Sequence, residues 1–119
     1  MGAGDPLQRL KQRADFLAAA AGVKVSTRTF VLQMRDRRDD GPSRVGFTVS
    51  RKVGNAVERN RVRRRLREIV RLAGTERTRA GHDYVLIGRR AALALPFARM
   101  RLDFDGALRR VHEGRQGKR

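Results

Sequence analysis

Along this chain the spacing of apolar positions alternates between the period of a helix and that of a strand. Leu10, Ala14, Leu17, Ala18 and Ala21 recur at helical intervals from about Lys11, and Gly22 closes the run, which predicts a first, alanine-rich helix. From Val23 to Arg35 the period falls to two, with Val23, Val25, Thr27, Thr29 and Val31 on one side and Phe30, Leu32 and Met34 on the other. That stretch is long enough to bend into two strands. The segment DRRDDGPS then reads as a loop. Arg44 to Arg51 alternates most clearly: Val45, Phe47 and Val49 point to a core, while Gly46, Thr48 and Ser50 leave the other face open to a ligand or a backbone.

The next segment has a helical period with two unlike faces. Val62, Leu66, Ile69, Val70 and Ala73 form one apolar stripe, and the same wheel sends Asn60, Arg61, Arg64, Arg67 and Arg71 to the opposite side, with Arg63 and Arg65 on the flanks. Gly54 suits a left-handed turn, Asn55 an N-cap, and Glu58 completes a capping box; Gly74 suits the C-terminal stop. Arg59 falls near the stripe, so its side chain is expected to reach past the core at the first turn, beside backbone N–H groups that favour phosphate. After the polar turn GTERTRAGH, Asp83 to Arg89 reads as a buried strand. Pro96 opens a last helix with Phe97, Met100, Phe104, Leu108 and Val111 as its stripe. Residues 1–6 and 114–119 read as tails. The order α, β, β, α, β, α predicts one α+β domain, with a sheet carrying helices on one face. The general rule would make the crossover through the basic helix right-handed.

Charge changes the picture from fold to partner. Among 119 residues, 29 Lys and Arg oppose 12 Asp and Glu, giving a net charge of +17. Nucleic acid is therefore the leading partner class and an anionic membrane the second. Phe16 to Ala21, the longest apolar-rich stretch, is far too short to span a bilayer, no cleavable signal pattern is recognised, and the expected location is the cytoplasm. The absence of cysteine excludes a disulfide framework and a cysteine-based zinc finger. Between Arg51 and Arg71 nine basic residues face two acids. Like charges at Arg63/Arg67 and Arg67/Arg71 repel at i, i+4, a cost that a polyanion partner explains and solubility does not.

Protein-borne catalysis finds little support. Asp36, Asp39 and Asp40 sit in a glycine-proline loop and read as turn residues, His82 and His112 as isolated surface residues, and Asp103 and Asp105 as pointing to different helix faces. Phe47, Phe97 and Phe104 lie in apolar stripes and read as core, whereas Phe16 suits stacking as well as packing. A strand precedes the basic helix where a helix-turn-helix would need another helix. A ribosomal or other structural RNA-binding protein stays open as an alternative.

Arg44 to Glu68, RVGFTVSRKVGNAVERNRVRRRLRE, closely resembles the signature of the bacterial ribonuclease P protein subunit, with Arg59-Asn60-Arg61 matching its RNR element. The similarity continues through Asp15-Phe16, the RTFVL segment from Arg28 to Leu32, and DYVLIGR. The resemblance implies a small basic subunit, monomeric in isolation, that binds a catalytic RNA and the 5′ leader of precursor tRNA. The RNA would perform the hydrolysis and hold most of the Mg2+, with no catalytic residue or metal ligand in the polypeptide. The implied fold is a four-stranded sheet with three helices, of the ribosomal protein S5 domain 2 type, with a left-handed βαβ crossover against the general rule. The implied RNA-binding residues are Arg51, Lys52, Asn55, Arg59, Asn60, Arg61, Arg63, Arg64, Arg67 and Arg71. Phe16, Phe30, Val31, Gln33 and Thr48 would border the leader cleft. Arg51 stands where the family usually has lysine, which alters the geometry of a phosphate contact. Ala20 and Gln33 stand where it often has aromatic rings, so leader recognition is expected to rest on backbone more than on base.

Overall fold

The computed structural model describes residues 8–73 and 77–114. The expected tail at 1–6, the tail expected at 114–119 apart from Gly114, and the helix stop at Gly74 lie outside them. In chain order the elements are β1 (Gln8–Arg9), α1 (Arg13–Ala20), β2 (Val23–Ser26), β3 (Phe30–Asp36), β4 (Arg44–Val49), α2 (Ala56–Ala73), β5 (His82–Gly88) and α3 (Phe97–His112). Short 3-10 turns occupy Arg51–Val53 and Arg90–Leu93.

The sheet has five strands, in the order β1-β4-β5-β3-β2, where four were expected. The extra strand is β1, which pairs parallel to β4 through Gln8↔Arg44 and Arg9↔Val45. Its backbone bonds, Gln8 N to Ser43 O and Leu10 N to Val45 O, need no hydrophobic alternation, so two polar residues carry no strand signal. β4 and β5 are parallel and β3 and β5 antiparallel, which makes the sheet mixed.

The long β stretch does bend into two strands. Thr27 turns the chain: its N–H donates to Phe30 O at 2.8 Å, and its hydroxyl accepts from the N–H of Thr29 and of Phe30. The turn resets the alternation, because Val25 pairs with Leu32 and Val23 with Met34. Val23 and Val25 therefore join Phe30, Leu32 and Met34 on one face, and Val31 faces the other way, unlike the continuous two-sided pattern expected.

Helices cover both faces rather than one. Val62, Leu66, Ile69 and Val70 of α2 and Met100, Phe104, Leu108 and Val111 of α3 pack with Val25, Phe30, Leu32, Val45, Val49 and Leu86 into the main core. Phe30 and Phe104 meet edge to face at 6.2 Å. α1 lies on the opposite face, where Leu10, Ala19 and Val85 form a smaller cluster bordered by Phe16 and Ile87. Burial of β5 on both sides matches its unbroken apolar run. The register of α1 also differs from expectation: Ala19 is fully buried and Leu17 is 58% exposed. With alanine on nearly every side, this helix has no apolar stripe strong enough to identify its inner face.

His112 is not an isolated surface residue. Arg79 N–H donates to the Tyr84 hydroxyl at 2.9 Å, and the hydroxyl lies 2.7 Å from His112 Nε2, to which it donates when that nitrogen carries no proton. That requires a neutral imidazole. Burial, then the positive charge of Arg79, and then His82, lower the His112 pKa to about 4, while burial raises that of Tyr84 to about 12.

Candidate nucleic-acid interface

Local signals build α2. Asn55 N–H donates to Glu58 Oε1 at 3.0 Å and Glu58 N–H to Asn55 Oδ1 at 2.9 Å, the reciprocal capping box read from sequence. Gly54 adopts φ 156°, ψ −161°, an extended positive-φ conformation rather than a left-handed turn. A Cβ there would also meet Glu58 Oε1 at 2.1 Å, so glycine protects the cap twice over.

The outer face of α2 is the basic surface. Asn60, Arg61, Arg64, Arg67 and Arg71 are exposed, and Arg63 is half-buried with its Nη1 donating to Asn60 Oδ1 at 3.1 Å. Neither acid of the helix sits free among them. Glu58 is consumed by the cap, and Glu68 accepts from Arg71 Nε at 3.0 Å, which holds its carboxyl below the usual range. Val57, 75% exposed, joins Asn60, Arg63, Arg64 and Arg67 around an open groove of about 400 Å³. Arg51 and Lys52 extend the positive surface from the turn before the helix.

The arginines of this region divide into two kinds. Arg64 and Arg67 project outward, and Arg67 lies over the Phe47 ring at 5.7 Å. Phe47 is therefore only partly core, contrary to the pattern. By contrast, Arg61 Nε donates to Leu93 O at 3.4 Å, and Arg65 donates to Leu95 O, so both tie α2 to the turn before α3. Burial, and then the charge of Arg61, lower the pKa of Arg65. Arg59 folds back so that Nη1 meets the Gly54 carbonyl at 2.8 Å, rather than standing beside free N–H groups.

The second candidate surface is the sheet face that carries α1. Thr48 and Val31 both pair with Ile87, and all three are half-exposed, forming a strip across β4, β5 and β3. Phe16 packs at one side of it, with its ring so close to Gly46 that a Cβ would stand 2.6 Å away. Ile87 was missed by sequence reading, although period two from Asp83 would have found it. Phe30 does not belong here: it is fully buried on the opposite face, because neighbours in a strand point in opposite directions. Gln33 lies on the strip's face, next to Val85 in register, but is only 7% exposed. Between the two surfaces, a smaller groove of about 140 Å³ includes Arg9, Phe16, Gly46, Phe47, Arg63 and Arg67.

Among the described residues, no three His, Asp or Glu side chains converge as metal ligands would, and no helix is long and apolar enough to cross a membrane. The loop acids build their own turn, with Asp39 accepting from Arg37 and from Gly41 N–H and Asp36 from Arg38 N–H. Asp103 and Asp105 pair with different partners, Arg99 and Arg77.

Comparison with known proteins gives a single answer. The family model described as Ribonuclease P matches residues 5–112. The ribonuclease P protein component of Gluconacetobacter diazotrophicus is 50% identical over 108 residues, covering 90% of this chain and 93% of that protein. The protein of the same description from Erythrobacter litoralis is 42% identical over 106 residues, covering 89% and 87%. Among solved structures, the RNase P protein from Thermotoga maritima superposes with a TM-score of 0.73 at 32% identity, over 87% of this chain and 96% of that one. The Staphylococcus aureus RNase P protein gives 0.72 at 27% identity, over 89% and 95%. With its sequence matched almost end to end and its mixed sheet and three helices shared, the chain belongs to the ribonuclease P protein component family.

Proposed function

We propose that this chain is the protein subunit of a ribonuclease P ribonucleoprotein that matures the 5′ end of tRNA. In this reading the outer face of α2 binds the catalytic RNA, and the Val31–Thr48–Ile87 strip beside Phe16 seats the 5′ leader of precursor tRNA. The observation that carries it is the row Asn60, Arg64 and Arg67, exposed on a helix whose two acids are engaged by the cap and by Arg71. A row of uncompensated guanidinium groups at helical spacing suits phosphates held in a fixed array. The RNA, with Mg2+, supplies the hydrolysis, and the arginines offset phosphate repulsion so that less Mg2+ is needed. The same reading takes the β4–α2–β5 connection as left-handed and the fold as the ribosomal protein S5 domain 2 type.

The strip offers one ring, Phe16, and two aliphatic side chains with a hydroxyl. Base stacking contributes about 1–3 kcal/mol per base where aromatics supply it, so one ring leaves phosphate contacts dominant and sequence preference small.

Reconstitution with the cognate RNA tests the proposal. Nuclease-treated protein alone is expected not to cleave precursor tRNA, and the reconstituted particle to need less Mg2+ than the RNA alone. Arg64→Ala and Arg67→Ala each should weaken RNA binding and lower the slope of log K against log salt by about 0.7–0.9. Unchanged affinity in both variants would move the binding face elsewhere, and co-purification with ribosomal subunits instead of an RNA of a few hundred nucleotides would refute the assignment.

A further inference from the structure

An ion-pair cluster runs from the interior of the sheet out to α1. Asp83, at the start of β5, is fully buried and accepts from Arg37 Nη1 at 2.5 Å and from Arg44 Nε and Nη2 at 2.8 Å each. Burial pushes its carboxyl up, but the hydrogen bonds from Arg44 and Arg37 outweigh that and hold it below the ordinary carboxylate range. Arg35 stands 3.6 Å from the same carboxylate. Arg35 and Arg44 also reach outward to the one carboxylate of α1: Asp15 Oδ1 lies 3.3 Å from Arg35 and 3.4 Å from Arg44.

α1 has few other attachments. It is eight residues long, Gln12 supplies no side-chain cap, and Ala19 is its one fully buried residue. A helix this short is marginal without tertiary contacts. Phe16 directly follows Asp15, and its ring rests on Gly46 beside the half-exposed strip. Wherever Asp15 is held, the Phe16 ring is held with it.

We infer that Asp15 is a positioning residue for the single-strand cleft: it pins the first turn of α1 to Arg35 and Arg44, which Asp83 holds in turn, and so sets the distance between Phe16 and the Val31–Thr48–Ile87 strip. The inference rests on reading that strip as the seat of the leader. Its energetic logic is asymmetric. Removing the Asp15 charge leaves Asp83 with its bonds to Arg37 and Arg44, so the sheet keeps its buried ion pairs, while α1 loses the contact that fixes its position. Asp15 is therefore expected to act on substrate discrimination more than on folding.

The test uses the reconstituted holoenzyme and compares affinity for precursor tRNA carrying a leader of several nucleotides with affinity for mature tRNA. Asp15→Asn should lower the precursor-to-mature ratio several-fold, leave affinity for the RNA subunit unchanged and barely move the thermal midpoint, and Asp15→Glu should recover most of the ratio. Gly46→Ala should lower the same ratio by displacing the Phe16 ring with Asp15 intact. A wild-type ratio in Asp15→Asn overturns the inference, as does a drop in stability that weakens both tRNAs alike. Equal affinity of the wild-type holoenzyme for the two tRNAs overturns the cleft reading itself, and the inference with it.

Discussion

α1 and α2 meet the sheet on opposite faces and are held by different physics. α2 has a reciprocal cap, four buried apolar side chains in one stripe and a charged outer face, so its start and its buried face are both written in local sequence. α1 has no side-chain cap and one buried alanine, and it is placed by what the sheet offers: a glycine under Phe16 and two arginines opposite Asp15. In the proposed reading the difference separates two tasks. A surface for a large, fixed array of phosphates is best carried on an element whose buried stripe fixes it firmly to the core. A cleft for a single strand depends on the spacing between two elements, and that spacing is set by contacts between them.

The largest effect is expected at the base of α1's anchor. Asp83→Ala removes the buried carboxylate that Arg37 and Arg44 share, leaves them the partly exposed Asp39 and Asp15, and should cost about 3–5 kcal/mol, read as a lower urea midpoint. Next is the stripe of α2. Leu66, fully buried, should cost about 2–5 kcal/mol on change to alanine, whereas Leu17→Ala on α1 should stay within about 0.5 kcal/mol. Equal losses at the two leucines would erase the contrast between the helices.

α3 supplies an intermediate case, pinned at its end by the His112–Tyr84 bond. The folded imidazole has its pKa lowered to about 4, against about 6.5 when unfolded. Below pH 6.5 the unfolded chain therefore binds more protons, and the contribution is lost as pH falls from about 6.5 to about 4. With allowance for partial exposure the loss is on the order of 1–2 kcal/mol, and urea midpoints of His112→Gln should show a flatter slope across that window. A modest effect is expected at the cap of α2. Asn55→Ala should cost about 1 kcal/mol, measured by the same titration, and reduce RNA affinity less than Arg64→Ala does.

The amino-acid order alone specifies α2 almost completely, because every signal there is local: the cap closes over three residues, and the stripe and the arginine face share one helical period. It also determined the alternation of β4 and the double-sided burial of β5, both short-range patterns. Long-range packing sets the rest. β1 exists as a strand because β4 offers it free backbone groups, and Val31 and Phe30 part company because the turn at Thr27 resets the register. The inner face of α1 follows from Gly46, Arg35 and Arg44, none of which is near it in sequence. Arg61 and Arg65 differ from Arg64 and Arg67 because the carbonyls of Leu93 and Leu95, thirty or so residues on, are folded against one side of the helix. A guanidinium has the same charge everywhere along the chain. Which of them remain free for phosphate depends on the acceptors that packing brings within reach.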